Sequence, residues 1–286
     1  MTGSFHRFVA ATLIALVWVA APARAEGVKA IASIAPVHSL LAGVMQGVGE
    51  PDLLVNGGMS PHSFRMKPSG ARMRKNADAV FWIGPTMESF LVKPIAALPK
   101  KVRAVRLVDV VPEGDNPHIW LDPRNAALMV RDMVRVLSAI DPANTKRFHA
   151  NGARVRAGLI ALERELHAFL KPVAVVPYLV YHDAYRYFEK RFDLAAQGAV
   201  TIHEDRPPGA KRVSMLRRKI IREKIVCVFT EPQFTPALAK TLVEGTGARL
   251  GVLDPLGAGL PAGPDLYGGM MRAMAGSMLA CLGAHG

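Results

Sequence analysis

Residues 142–170, PANTKRFHANGARVRAGLIALERELHAFL, read as one uninterrupted helix. Phe148, Val155, Leu159, Leu162, Leu166 and Phe169 recur at spacings of 7, 4, 3, 4 and 3, the period of an apolar stripe along an α-helix. Asp141 and Pro142 make a favourable N-cap and first-turn pair, and Pro172 ends the run. At 1.5 Å per residue such a helix is roughly 43 Å long, enough to run along two lobes rather than one.

The segments on either side supply those lobes. VKAIASI, DLLVN, DAVFWIG and VRAVRLVD precede the helix, and AVVPYLVY, LAAQGAV, IVCVF and ARLGVLD follow it, each separated from the next by helical or turn-rich sequence. Strand runs alternating with helices predict an α/β fold: two lobes with mainly parallel sheets, joined by one long connecting helix. The division expected is 26–140 for the first lobe, 141–171 for the linker helix and 172–286 for the second lobe. A continuous helix bends only by breaking its hydrogen-bond ladder, so opening and closing of the lobes should be small.

Residues 1–25 have the layout of an export signal. His6 and Arg7 form a short basic region, residues 8–21 are apolar, and Ala23-Arg24-Ala25 is a small-x-small site, with cleavage expected after Ala25. The cleavage point carries no cysteine for a lipid anchor, and no later stretch approaches the roughly 18–20 apolar residues of a membrane span. A soluble periplasmic monomer is expected. The formal charge of +13 raises nucleic acid or a membrane surface as a partner. The basic residues are spread along amphipathic helices such as 211–224, however, and an exported chain does not meet nucleic acid, so the charge reads as a solvated surface.

Cys227 and Cys281 are the only cysteines. In an oxidising compartment an isolated pair reads as a disulfide rather than a metal site, two buried thiols being the other reading. The bridge would pin the last helix to the strand IVCVF.

Four side chains able to bind a metal lie just past strand ends, two in each half: His62 in GGMSPHSF, His118 in DNPHIWLDP, His182 at the end of VVPYLVYH and Asp254 in GVLDPLG. Taken singly, each histidine is an ordinary loop or packing residue and Asp254 an ordinary cap or turn. Ligands of open α/β sheets bind beyond the carboxyl ends of the strands, so together the four point to one ion in the cleft between lobes. Three imidazoles and one carboxylate form an N₃O set that suits Zn²⁺ better than Mn²⁺ or Mg²⁺. Asp183 offers a carboxylate to orient His182 from behind. HExxH, GxSxG, Walker A and CxxC patterns are all absent, and no general base is identifiable, which speaks against an enzyme. His203 and Glu204, in TIHEDRPPGA, are the nearest substitutes and read as a solvated loop pair.

These segments, together with ASIAPVHSLLAGVMQGVGEPDLLV, YHDAYRYFEKRF, PGAKRV and CVFTEPQFTPAL, resemble the zinc-binding receptors of bacterial zinc ABC importers, the ZnuA type. These belong to the metal-binding solute receptors with a rigid linker helix. The resemblance spans nearly all of the chain beyond the export signal. It implies a high-affinity periplasmic receptor that delivers Zn²⁺ to a membrane ABC permease. His62, His118 and His182 match that family's zinc ligands, Asp254 matches an aspartate that supplies a carboxylate in related receptors, and Cys227 and Cys281 match its paired cysteines. Two departures stand out. Pro61 occupies the place where some members carry a ligating Glu, and the stretch 108–117 is short and lacks the His-rich loop that many members insert there. A manganese or iron receptor of the same fold is the alternative, argued against by His182 where such proteins use an acidic residue; a secreted zinc hydrolase is the more remote one.

Overall fold

A computed structural model of the chain describes residues 27–66, 77–112, 114, 116–201 and 208–283. The expected export signal, with its cleavage after Ala25, and the pair His203 and Glu204 lie outside the described residues. Strands β1 (Ala30–Ile34), β2 (Asp52–Val55), β3 (Ala79–Trp82) and β4 (Arg103–Arg106) form a sheet ordered β2-β1-β3-β4. A second sheet, ordered β6-β5-β7-β8, contains β5 (Tyr178–His182), β6 (Ala196–Thr201), β7 (Cys227–Thr230) and β8 (Arg249–Val252). Every pairing in both is parallel. The helices are α1 (Ala35–Met45), α2 (Val92–Ala96), α3 (Pro123–Ile140), α4 (Thr145–Leu170), α5 (Arg186–Arg191), α6 (Ala210–Arg222), α7 (Ala237–Val243) and α8 (Leu266–Leu282).

Each strand coincides with one of the eight apolar runs to within a residue, and composition sorts centre from edge. The inner strands AIASI, AVFW, YLVYH and CVFT are buried along their whole length, because helices cover both faces of a central parallel strand. The outer strand RAVR has no buried residue.

The long helix forms as the spacing predicts, with a modified start. Asp141 caps a 3₁₀ turn, Pro142–Asn144, accepting from the Asn144 amide at 3.3 Å, and α4 runs on from Thr145. It packs against α1 and α3 of the first lobe and α8 of the second, and so links the two lobes. Phe148, Leu159, Leu162 and Leu166 face inward, but Phe169 is 44% exposed and Leu170 is buried in its place. Positions three and four beyond Leu166 straddle the seam, and at the helix end only one of them turns inward. Gly152 sits where α3 crosses α4; a Cβ there would lie 2.4 Å from Val134 Cγ2, so the helices approach over a bare backbone.

The lobes share one apolar cluster that includes Phe81, Trp120, Tyr178 and Phe229. Polar contacts cross between them: Trp120 Nε1 donates to the Pro255 carbonyl at 2.8 Å and Tyr267 Oη donates to the Trp120 carbonyl at 2.7 Å. Arg191 grips both oxygens of Asp122 at 2.8 and 2.6 Å. The Cys227–Cys281 disulfide closes over 54 positions and ties α8 to β7. Among the described residues no helix is long and apolar enough to cross a membrane.

Candidate metal centre

The segments that follow the strand ends of both sheets meet at one point. His62 lies in the loop after β2, His118 precedes the 3₁₀ turn Ile119–Leu121 that leads into α3, and His182 is the last residue of β5. Asp122 caps α3, accepting from the Arg124 amide at 2.8 Å, and so fixes the segment that carries His118. His62 Nε2 stands 3.3 Å from His118 Nε2, and His182 Nε2 stands 3.1 Å from His118 Nε2. One ligand atom from each ring lies within 4.8 Å of the other two. A tetrahedral ion with bonds of about 2.0–2.1 Å to imidazole nitrogens holds them about 3.3–3.4 Å apart, close to these spacings.

The hydrogen bonds behind the rings fix their tautomers. Asn116 Oδ1 accepts from the His118 amide at 3.0 Å and from His118 Nδ1 at 2.8 Å, while Asn116 Nδ2 donates to the Asp183 carbonyl at 2.6 Å. His182 Nδ1 donates to Glu231 Oε1 at 2.5 Å. Glu231 is buried. With both Nδ1 atoms protonated, each neutral ring presents a bare lone pair at Nε2. Burial, and then the neighbouring His182 and His62, hold the His118 imidazole well below its ordinary pKa, keeping it neutral. Two lone pairs 3.1 Å apart repel one another unless a cation lies between them.

Asp254 stands outside this group of three. Its carboxylate accepts from the amides of Leu256 at 3.1 Å, Gly257 at 3.0 Å and Ala258, and from Gln233 Nε2 at 3.2 Å. Asp183 does not orient His182; its carboxylate pairs with Arg186, with Arg186 Nε at 2.9 Å. That task falls to Glu231. The pocket is lined by the three histidines, Ser60, Pro61, Trp120, Glu231, Gln233 and Phe234, and holds about 10 Å³, room for one ion or one water. Glu231 and Gln233 follow β7, where the sequence reading placed no site residue. The strand-end rule that selected the histidines reaches them too.

A model of the periplasmic component A of zinc-uptake complexes, ZnuA, matches residues 31–281. The chain belongs to this family. A ZnuA from Brucella abortus, described as a high-affinity zinc uptake system protein, is 39% identical, the match covering 90% of this chain and 92% of the relative. The fold agrees with a crystal structure of ZnuA, at a TM-score of 0.80 with 22% identity over 90% of this chain and all of the other. It agrees equally with FpvC from Pseudomonas aeruginosa in complex with Mn²⁺, at a TM-score of 0.81 with 20% identity over 91% of this chain and all of FpvC. ZnuA is a solute-binding family, and its descriptions place it in the periplasm.

Proposed function

We propose that this protein is a high-affinity periplasmic receptor that captures Zn²⁺ between its lobes and delivers it to the membrane permease of an ABC importer. His62, His118 and His182 are the ligands, each through Nε2. Asp254, expected as the fourth ligand, is assigned instead to the loop it caps and to Gln233, because its oxygens already accept four hydrogen bonds. The observation that carries the reading is the pair of Nε2 lone pairs held 3.1 Å apart with their tautomers fixed from behind.

An all-imidazole set suits Zn²⁺, whereas Mn²⁺ prefers more oxygen ligands than this pocket supplies. Glu231, the buried carboxylate of the pocket, is committed to His182, so it is not free to act as the base of a hydrolase. The receptor acts as a monomer built from the lobes 26–140 and 172–286 and the linker 141–171, with 1–25 removed on export. Competition between Zn²⁺ and Mn²⁺ for the metal-free protein tests the assignment. Zinc should win at equal concentration, and a preference for manganese would overturn it.

A further inference from the structure

The outward face of α6 carries chemistry that the zinc site does not use. Residues 210–224 hold seven cations and one carboxylate, Glu223, which pairs with Lys219 at 2.5 Å and with Arg222 at 2.6 Å. α6 buries Leu216 and Ile220 in a cluster with Leu179 and Val228 of the second sheet. Side chains alternate along a strand, and Tyr178 and Phe229 turn to the cluster that the lobes share, so α6 lies on the side of the sheet turned away from it. Arg217 donates to the carbonyls of Thr241 and Glu244 and holds α6 beside α7, where Lys240 and Glu244 are both exposed. The outward stripe of α6 runs through Lys211, Met215, Arg218 and Arg222 at spacings of 4, 3 and 4, all exposed, with Ile221 beside them. Met215 is 46% and Ile221 60% exposed. Single exposed apolar side chains are ordinary on a protein surface, but these two share one helix face with a row of cations.

We propose that α6 docks the protein on a bilayer of anionic phospholipid, with its cations on the lipid phosphates and with Met215 and Ile221 dipping between the headgroups. A solvated surface gains nothing from the two apolar side chains, and a soluble polyanion would leave them in water. A lipid surface takes up both parts of the face. Pairing α6 with α6 of a second copy would set like charges together. This rests on the periplasmic reading above and not on the identity of the metal. Docking holds the receptor at the surface of the membrane that contains its permease and turns the search for it into one over two dimensions. α6 contributes no residue to the pocket of the three histidines, so docking and zinc binding are separate.

Flotation of the zinc-loaded protein with protein-free vesicles gives the test. Vesicles of phosphatidylglycerol and phosphatidylcholine in equal parts should bind it and phosphatidylcholine alone should not; failure to bind the anionic vesicles would overturn the proposal. Reversing two outward charges, Arg218→Glu with Arg222→Glu, should weaken vesicle binding by at least about ten-fold. The same change of charge in the first lobe, Lys100→Glu with Lys101→Glu, should weaken it by less than about three-fold. Equal losses from the two pairs would mean that net charge carries the binding and would overturn the assignment to α6. Met215→Ser with Ile221→Ser should weaken vesicle binding by about three- to ten-fold and leave heparin binding unchanged. Unaltered vesicle binding in that variant would make α6 a site for soluble polyanions instead. All of these positions are exposed, so the variants should keep the wild-type melting temperature and zinc titration, measured in parallel. His118→Ala should bind vesicles as the wild type does, so failure at the metal and failure at the membrane are read separately.

Discussion

His182 shows how a ligand is prepared before the metal arrives. Glu231 holds its Nδ1 at 2.5 Å, and this fixes which nitrogen faces His118. Replacing Glu231 by Ala should weaken zinc binding about 10–100-fold, as measured against a competing chelator, while Glu231→Gln, which keeps an acceptor oxygen, should lose less. Equal losses would mean that charge rather than orientation is what Glu231 supplies. The three histidines were legible in the sequence because each ends or follows a strand run in an α/β chain, where ligands gather. Glu231 and Gln233 also follow a strand, but their roles and that of Asn116 depend on which hydrogen-bond partner stands behind or across from them, and sequence spacing does not encode that. Asp254 stood in an equivalent place but turns to its own loop, where three consecutive amides satisfy it.

At the scale of elements, the loop after β2 is set by Gly57. Gly57→Ala should push the loops 56–58 and 256–258 apart and weaken zinc binding more than it lowers the melting temperature, because the clash lies at the lobe contact rather than in either core. The disulfide acts differently. By loop-closure entropy, breaking it in a Cys227→Ala, Cys281→Ala double variant should cost about 4 kcal/mol on denaturant unfolding, and a loss near zero would mean that α8 is held by packing alone. The eight strands and the linker could be read from the sequence because short β-branched runs between turn-rich segments and a long amphipathic helix each leave a strong local signal. Phe169 escaped that reading: at the last turn of α4 the choice between it and Leu170 is made by neighbours from distant parts of the chain.

For the whole molecule, the buried carboxyl groups give stability a pH dependence of definite sign. Glu88 is fully buried, accepts from Ser33 Oγ at 2.5 Å and from the amides of Ile83 and Gly84, and burial raises its pKa from 4.5 to about 7. Glu189 is raised to about 7 as well, first by burial and then by Asp183. A carboxyl whose folded pKa lies above its unfolded value stabilises fully below the unfolded value, and that stability fades as pH rises through the folded one. His118, lowered by burial, acts in the opposite sense but only below about pH 6.5. The metal-free protein should therefore lose about 1–2 kcal/mol between pH 6.5 and 8 in denaturant titrations, and a gain over that window would contradict the assignment of these two groups. The single helix α4 bracing both lobes implies little change in overall shape on metal uptake, so the radius of gyration from solution scattering should be nearly the same with and without zinc. The most direct test of the account is zinc titration against a competing chelator for wild type and His118→Ala. It predicts one zinc per wild-type chain and an affinity lowered by at least about ten-fold in the variant. Equal titration curves for the two proteins would contradict it.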